Sequence, residues 1–150
     1  MPQEARQKGN MQTVYSYSRA QAIADGVLVD VTNAADASGQ RLSPFKYPVG
    51  MTHAAWEATI GAGGTWEDDK DGEAVLQFPG GQDFAGRMHD VFTMLLFAIR
   101  QAKPGEDRIW FSVLVDVNRD GRKTKVELWS QCGPGDTAEP VLTIMLTNED

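Results

Sequence analysis

Over residues 109–146 apolar side chains recur at every second position in three separate runs, and this alternation constrains the fold more than any other feature. Ile109, Phe111, Val113 and Val115 alternate with Trp110, Ser112 and Leu114; Val126 and Leu128 with Glu127 and Trp129; Leu142, Ile144 and Leu146 with Thr143 and Met145. A strand turns successive side chains to opposite faces, so each run reads as a strand with one face buried. Consecutive strands with short connections most simply make a three-stranded antiparallel meander. Such a sheet needs a second layer to cover its apolar face. Residues 83–102 supply one: Asp83 caps a helix that places Met88, Val91, Phe92, Leu95 and Ile99 on a single stripe.

Met94 and Phe97 fall off that stripe, with Phe97 nearly opposite to it, so the helix is apolar on two sides. A large aromatic beside another apolar side chain is seldom left in water. The cover is the meander, the segment 61–81 or a second chain, which makes Met94 and Phe97 the candidate partner-binding residues. In a chain this short, a buried centrepiece is the expectation.

The first half is read from its punctuation. Residues 1–13 carry no periodicity and are expected to form a flexible tail, leaving 14–150 as a single domain. Ser18 and Gln21 have the spacing of a capping box and Gly26 supplies a left-handed stop, which predicts a short helix over 18–25. Val27, Val29 and Val31 alternate with Leu28 and Asp30 as a strand. Thr32 or Asn33 caps a weak helical turn through Ala37, ended by Gly39, and Pro44 and Pro48 then impose a looped path. Thr52 caps a helix carrying Trp56 and Ile60, and 61–81 is a long surface excursion in which only 73–78 resembles a strand. The predicted class is therefore α+β: short N-terminal helices and one strand, a long central helix, and a C-terminal three-stranded antiparallel meander.

Charge and composition exclude several functions. The formal charge of −7 repels phosphate backbones, and the cations are not segregated, so no direct nucleic-acid binding is expected. Arg119, Arg122, Lys123 and Lys125 form the one basic cluster and read as a solvated hairpin tip. An acidic surface instead suits basic protein surfaces, including grooves that normally hold nucleic acid. No apolar run approaches the ~20 residues that span a bilayer, and the N-terminus lacks the apolar core of a signal peptide, so a cytoplasmic protein with no membrane partner is expected. A single cysteine, Cys132, excludes an intrachain disulfide and has no cationic neighbour to activate it. A quiet, partly buried thiol is expected.

Two groups of residues have the composition of a chemical site. Asp116, Asn118, Asp120, Gly121 and Glu127 fit the calcium-loop pattern D-x-[DN]-x-[DN]-G-x5-E, which would supply a ring of hard oxygens. Strand character on both sides and four cations within or beside the loop favour a metal-free hairpin turn. His53, His89, Asp90 and Asp30 are the candidate acid/base residues, with no nucleophile elbow and no H-x-x-x-H spacing to organise them. Gly61, Gly63 and Gly64 lack the strand and the Lys-Ser/Thr ending of a phosphate loop and read as a flexible link, and residues 133–136 (GPGD) read as a tight turn between strands. No cofactor is implied.

Residues 15–31 (YSYSRAQAIADGVLVDV), 47–56 (YPVGMTHAAW), 86–100 (GRMHDVFTMLLFAIR) and 132–150 (CGPGDTAEPVLTIMLTNED) together resemble the bacterial family called domain of unknown function 6573. The first and last segments are specific, and residues 40–45 and 61–80 look like insertions. The resemblance implies a bacterial setting of plasmid or phage-type mobile elements, where small accessory and counter-defence proteins are common. It brings no catalytic residues.

Three functions follow as alternatives: an accessory protein that acts by binding a protein partner or a second copy of itself, a hydrolase or transferase built on Asp30, His53, His89 and Asp90, or a calcium-binding module on the loop ending at Glu127.

Overall fold

The computed structural model describes residues 18–62, 65–68, 70–77, 84–116 and 122–149. Helix α1 spans Arg19–Ala24 and opens with the capping box read from the sequence: the Ser18 hydroxyl accepts from the Gln21 N–H at 3.0 Å, and the Gln21 side chain accepts from the Ser18 N–H at 3.2 Å. Gly26 follows it at φ +79°, where a Cβ is strained. The short strand β1 (Leu28–Asp30) pairs antiparallel with β2 (Val49–Thr52). Helix α2 (His53–Ala58) starts without a loop, because the Thr52 hydroxyl accepts from the Ala55 N–H at 3.2 Å. A two-stranded hairpin, β3 (Thr65–Asp68) and β4 (Ala74–Gln77), precedes helix α3 (Phe84–Gln101). Strands β5 (Arg108–Val115), β6 (Thr124–Pro134) and β7 (Pro140–Leu146) complete the chain.

The expected class is corrected at its centre. The C-terminal strands are not a free-standing meander: β7 pairs parallel with β2, and all belong to one five-stranded mixed sheet of order β1-β2-β7-β6-β5. Nor is there a helix at the centre of the molecule. Helix α3 lies on one face of the sheet, over the edge strand β5, and Met88, Val91, Phe92 and Leu95 are buried against Val113, Leu128, Leu142 and Ile144. The hydrophobic stripe is satisfied by a single sheet face, and among the described residues nothing buries the other side of α3: Met94 is 39% and Phe97 51% exposed.

Smaller corrections have local causes. Residues 32–42 form no helical turn; Ala35 bridges to Arg41, and the Asp36 carboxylate accepts from the Ser38 hydroxyl and N–H and from the Gln40 N–H. The strand expected over 27–31 shortens to three residues, because Val31 donates its N–H to the Val49 carbonyl as the chain leaves the ladder and Val27 is exposed. Ile60 is buried but lies beyond α2, which ends at Ala58 with Thr59 as its C-cap, and the Gly61 N–H returns to the Trp56 carbonyl. Gly61 is a close-approach position rather than a flexible link: a Cβ there would meet the Trp56 ring at 2.7 Å. The excursion holds two strands where one was expected. Cys132 is exposed rather than partly buried. No helix among the described residues is long and apolar enough to cross a membrane.

Candidate functional site

The acid/base candidates are placed on separate elements. Asp30 ends β1, where its carboxylate accepts from the Thr32 hydroxyl at 2.6 Å and the Thr32 N–H at 3.1 Å and lies 3.6 Å from Arg19. Burial pushes its carboxyl up, but the two Thr32 bonds and the Arg19 charge outweigh this and hold it below the usual carboxylate range. Asp30 borders a depression of about 390 Å³ formed with Val29, Ala34, Trp56 and Phe84, and no imidazole lines it. His53 opens α2 and faces Glu57 at 3.6 Å, both well exposed. His89 and Asp90 lie exposed on α3. Among the described residues no three His, Cys, Asp or Glu side chains gather as a metal site. Of the calcium-loop pattern, Asn118, Asp120 and Gly121 lie outside the described residues; Asp116 follows β5, and Glu127 sits on β6 opposite Ser112.

The GPGD segment is only in part a turn: Gly133 and Pro134 end β6, paired with Val141 and Pro140, and the turn begins at Gly135. Its Asp136 carboxylate accepts from the Arg19 N–H at 2.6 Å and the Ala20 N–H at 3.0 Å, tying the β6–β7 turn to the start of α1. The cation that sequence reading missed is Arg87. It is 7% exposed, and its guanidinium donates to the main-chain carbonyls of Thr59, Ile60 and Ala62 and, at 3.1 Å, of Asp116. Burial pushes its pKa down against the opposing charge of Asp116. Arg87 thereby joins the start of α3, the end of α2 and the end of β5. A sequence signal existed in its position one residue before the buried Met88, but helical charges next to an apolar stripe are usually solvated.

A cleft of about 520 Å³ opens beyond the other end of α3, where Phe45, Tyr47, Ile99 and Ile109 meet Ser130 and Cys132 of β6. Its size is that of a small-ligand site. None of Asp30, His53, His89 or Asp90 lines it; the ionisable side chains that share its lining with Cys132 are Lys46, Tyr47, Lys103, Glu106 and Asp107.

The remaining surface feature is β5 itself. It stands last in the sheet and pairs only with β6 among the described residues, leaving one side of its ladder open over eight residues. Trp110 and Leu114 project from the face of the sheet away from α3 and are 59% and 56% exposed. The contrast with Trp129, directly opposite Trp110 in the register, shows what covering that face requires. Trp129 is buried because its indole N–H donates to the Leu146 and Glu149 carbonyls, Arg108 lies 4.8 Å over its ring, and Trp110 stacks on it at 5.7 Å. Among the described residues, Trp110 has a strand neighbour on its β6 side alone. Met94 and Phe97, on the outer side of α3, are exposed on the opposite side of the same strand, so the β5 edge is flanked by exposed apolar side chains on both sides.

No curated protein and no solved structure matches the chain. Residues 8–150 match DUF6573, described as a family of unknown function, and with nearly the whole chain covered, the protein belongs to that family.

Proposed function

We propose that this protein is a small accessory module that acts by binding another protein chain through β5 and the uncovered side of α3. The observation that carries the reading is the eight-residue edge of β5, unpaired on one side among the described residues, with Trp110 and Leu114 exposed beside it. Unpaired main-chain groups of such a strand accept an added strand, and the side chains next to it provide specificity. The bacterial mobile-element setting implied by the family resemblance extends the reading to an inhibitor of a defence or nucleic-acid-processing complex. The charge of −7 supports a basic surface as the target. The scattered positions of Asp30, His53, His89 and Asp90 lend no support to acid/base catalysis.

Site-specific photocrosslinking tests the surface. A benzophenone side chain replacing Leu114 or Phe97 should give covalent protein adducts in a bacterial lysate, whereas the same probe at exposed Lys70 should give few. Equal labelling at all three positions would sink the reading.

A further inference from the structure

We propose that the cleft beyond the C-terminal end of α3 binds an uncharged aromatic molecule, held by its rings against Phe45, Tyr47 and Ile109 and by one hydrogen bond to the Ser130 hydroxyl. The cleft exists because the helix is shorter than the sheet it covers. α3 ends at Gln101, and Gly105, at φ +88°, helps turn the chain back into β5. β6 and β7 stay paired beyond that point, from Cys132 opposite Leu142 to Pro134 opposite Pro140. Among the described residues no helix lies over that stretch of the sheet face. Its side is walled by the segment 44–47, where Phe45 is set edge-on to the buried Phe92 at 6.0 Å. The opening of about 520 Å³ that results has the size of a small-ligand site.

Ser130 gives the opening its chemistry. In the register it lies between Ile109 of β5 and Ile144 of β7, on the same sheet face as Cys132 and Leu142, so its side chain is presented to the cleft. The residue is 1% exposed, and its hydroxyl meets no donor or acceptor among the described residues. A buried hydroxyl without a partner is costly, and an apolar side chain of similar size would fill the position without that cost. Water satisfies it poorly. An ordered water needs about two to four polar partners, whereas the side chains flanking Ser130 are isoleucines and β6 has a paired strand on each side to take up its main-chain groups. A ligand hydroxyl or ring N–H that reaches Ser130 displaces so weakly held a water with little loss.

The charges around the cleft cancel, which sets the charge of the ligand. Lys46 and Lys103 are balanced by Glu106 and Asp107, and all four are exposed at the rim. Two of them are already engaged: the Lys46 ammonium lies 5.3 Å over the Tyr47 ring, and the Glu106 carboxylate accepts from the Lys103 N–H at 2.7 Å. A charged ligand would lose its hydration in the apolar interior without meeting a net opposite charge. An uncharged ring system with a single polar group fits an apolar pocket that offers a single buried hydroxyl. Phe45 and Tyr47 favour an aromatic over an aliphatic body, because ring pairs attract beyond the area they bury.

Cys132 reports occupancy, since it lines the cleft, is exposed and is the single cysteine of the chain. Its alkylation by iodoacetamide is timed on the full chain at about pH 7 with three probes: 2-naphthol, whose phenolic hydroxyl keeps its proton there, naphthalene and 2-naphthoate. 2-Naphthol should protect Cys132 saturably, with half-protection at a concentration about tenfold below that of naphthalene or 2-naphthoate, because a site built around a hydrogen bond rejects an analogue that leaves it unmade. Ser130→Ala should abolish the preference for 2-naphthol over naphthalene and melt at or above the wild-type temperature. Ala102→Trp, which fills the cleft from the end of α3, should abolish protection by 2-naphthol. An unprotected wild type, or a preference that survives in Ser130→Ala, would overturn the proposal. So would a Ser130→Ala variant that melts well below the wild type, since the hydroxyl would then serve the fold, and so would tighter binding of 2-naphthoate than of 2-naphthol.

Discussion

Arg87→Met should cost about 3–4 kcal/mol, and the magnitude follows from the carbonyls the guanidinium serves. Its Nη1 lies 3.2 Å from the Thr59 and Ile60 carbonyls and within bonding distance of Ala62, and its Nη2 lies 3.1 Å from the Asp116 carbonyl. Nη1 has two hydrogens for three acceptors and Nη2 serves a fourth, so about three full bonds serve these four carbonyls. A buried acceptor left without a donor costs about 1–3 kcal/mol. Removing a desolvated cation returns part of that cost, since burial alone pushes the Arg87 pKa down, which places each bond near the lower end of the range. Methionine fills a comparable volume and leaves little cavity. Equilibrium urea unfolding followed by tryptophan fluorescence measures the change. With a slope of about 2 kcal/mol/M, the midpoint should fall by about 1.5–2 M. Arg87→Lys keeps the charge but replaces the fork by one nitrogen and should recover less than half of the loss. A loss below about 1 kcal/mol for Arg87→Met would refute the reasoning, because water would then be satisfying those carbonyls.

Two residues of α3 should respond in opposite ways to substitution. Leu95→Ala, at a fully buried position, should cost about 2–5 kcal/mol in the same unfolding assay, and a loss under about 0.5 kcal/mol would mean the stripe faces elsewhere. Phe97→Asp, at a half-exposed position, should leave the melting temperature nearly unchanged, and an unfolded variant would mean that the fold covers Phe97 after all. Asp30 has its folded pKa below the unfolded value of about 3.9, so its stabilisation is present above that pH and is lost as pH falls through the folded value. Asp30→Asn should therefore flatten the acid limb of the melting curve below about pH 4, and parallel curves for the two proteins would refute the assignment.

Local chemistry was legible in the sequence because it is decided within a few residues. The Ser18–Gln21 box, the Thr52 cap and the Gly26 stop each satisfy main-chain groups at a separation of at most four residues. The stripe through Met88, Val91 and Leu95 and the alternation in β5, β6 and β7 were equally clear, since periodicity reports which side chains share a face. Periodicity does not report which strands are neighbours. β2, four residues that include a glycine and run straight into a helix cap, carries no alternation of its own and becomes a strand through its pairing with β1 on one side and its parallel pairing with β7, some ninety positions along the chain, on the other. Sequence separation likewise hides Asp136, whose carboxylate caps a helix 116 and 117 residues away, and Arg87, whose carbonyl partners lie 25 to 29 residues away, just after α2 and just after β5. The surface was decided last. Met94 and Phe97 read as apolar from the sequence, but whether they are covered depended on how many sheet faces α3 meets, and it meets one. Leu114 was a strand residue until the tertiary structure put β5 at the end of the sheet, where among the described residues no second strand lies on its outer side to take up the outward-facing main-chain groups.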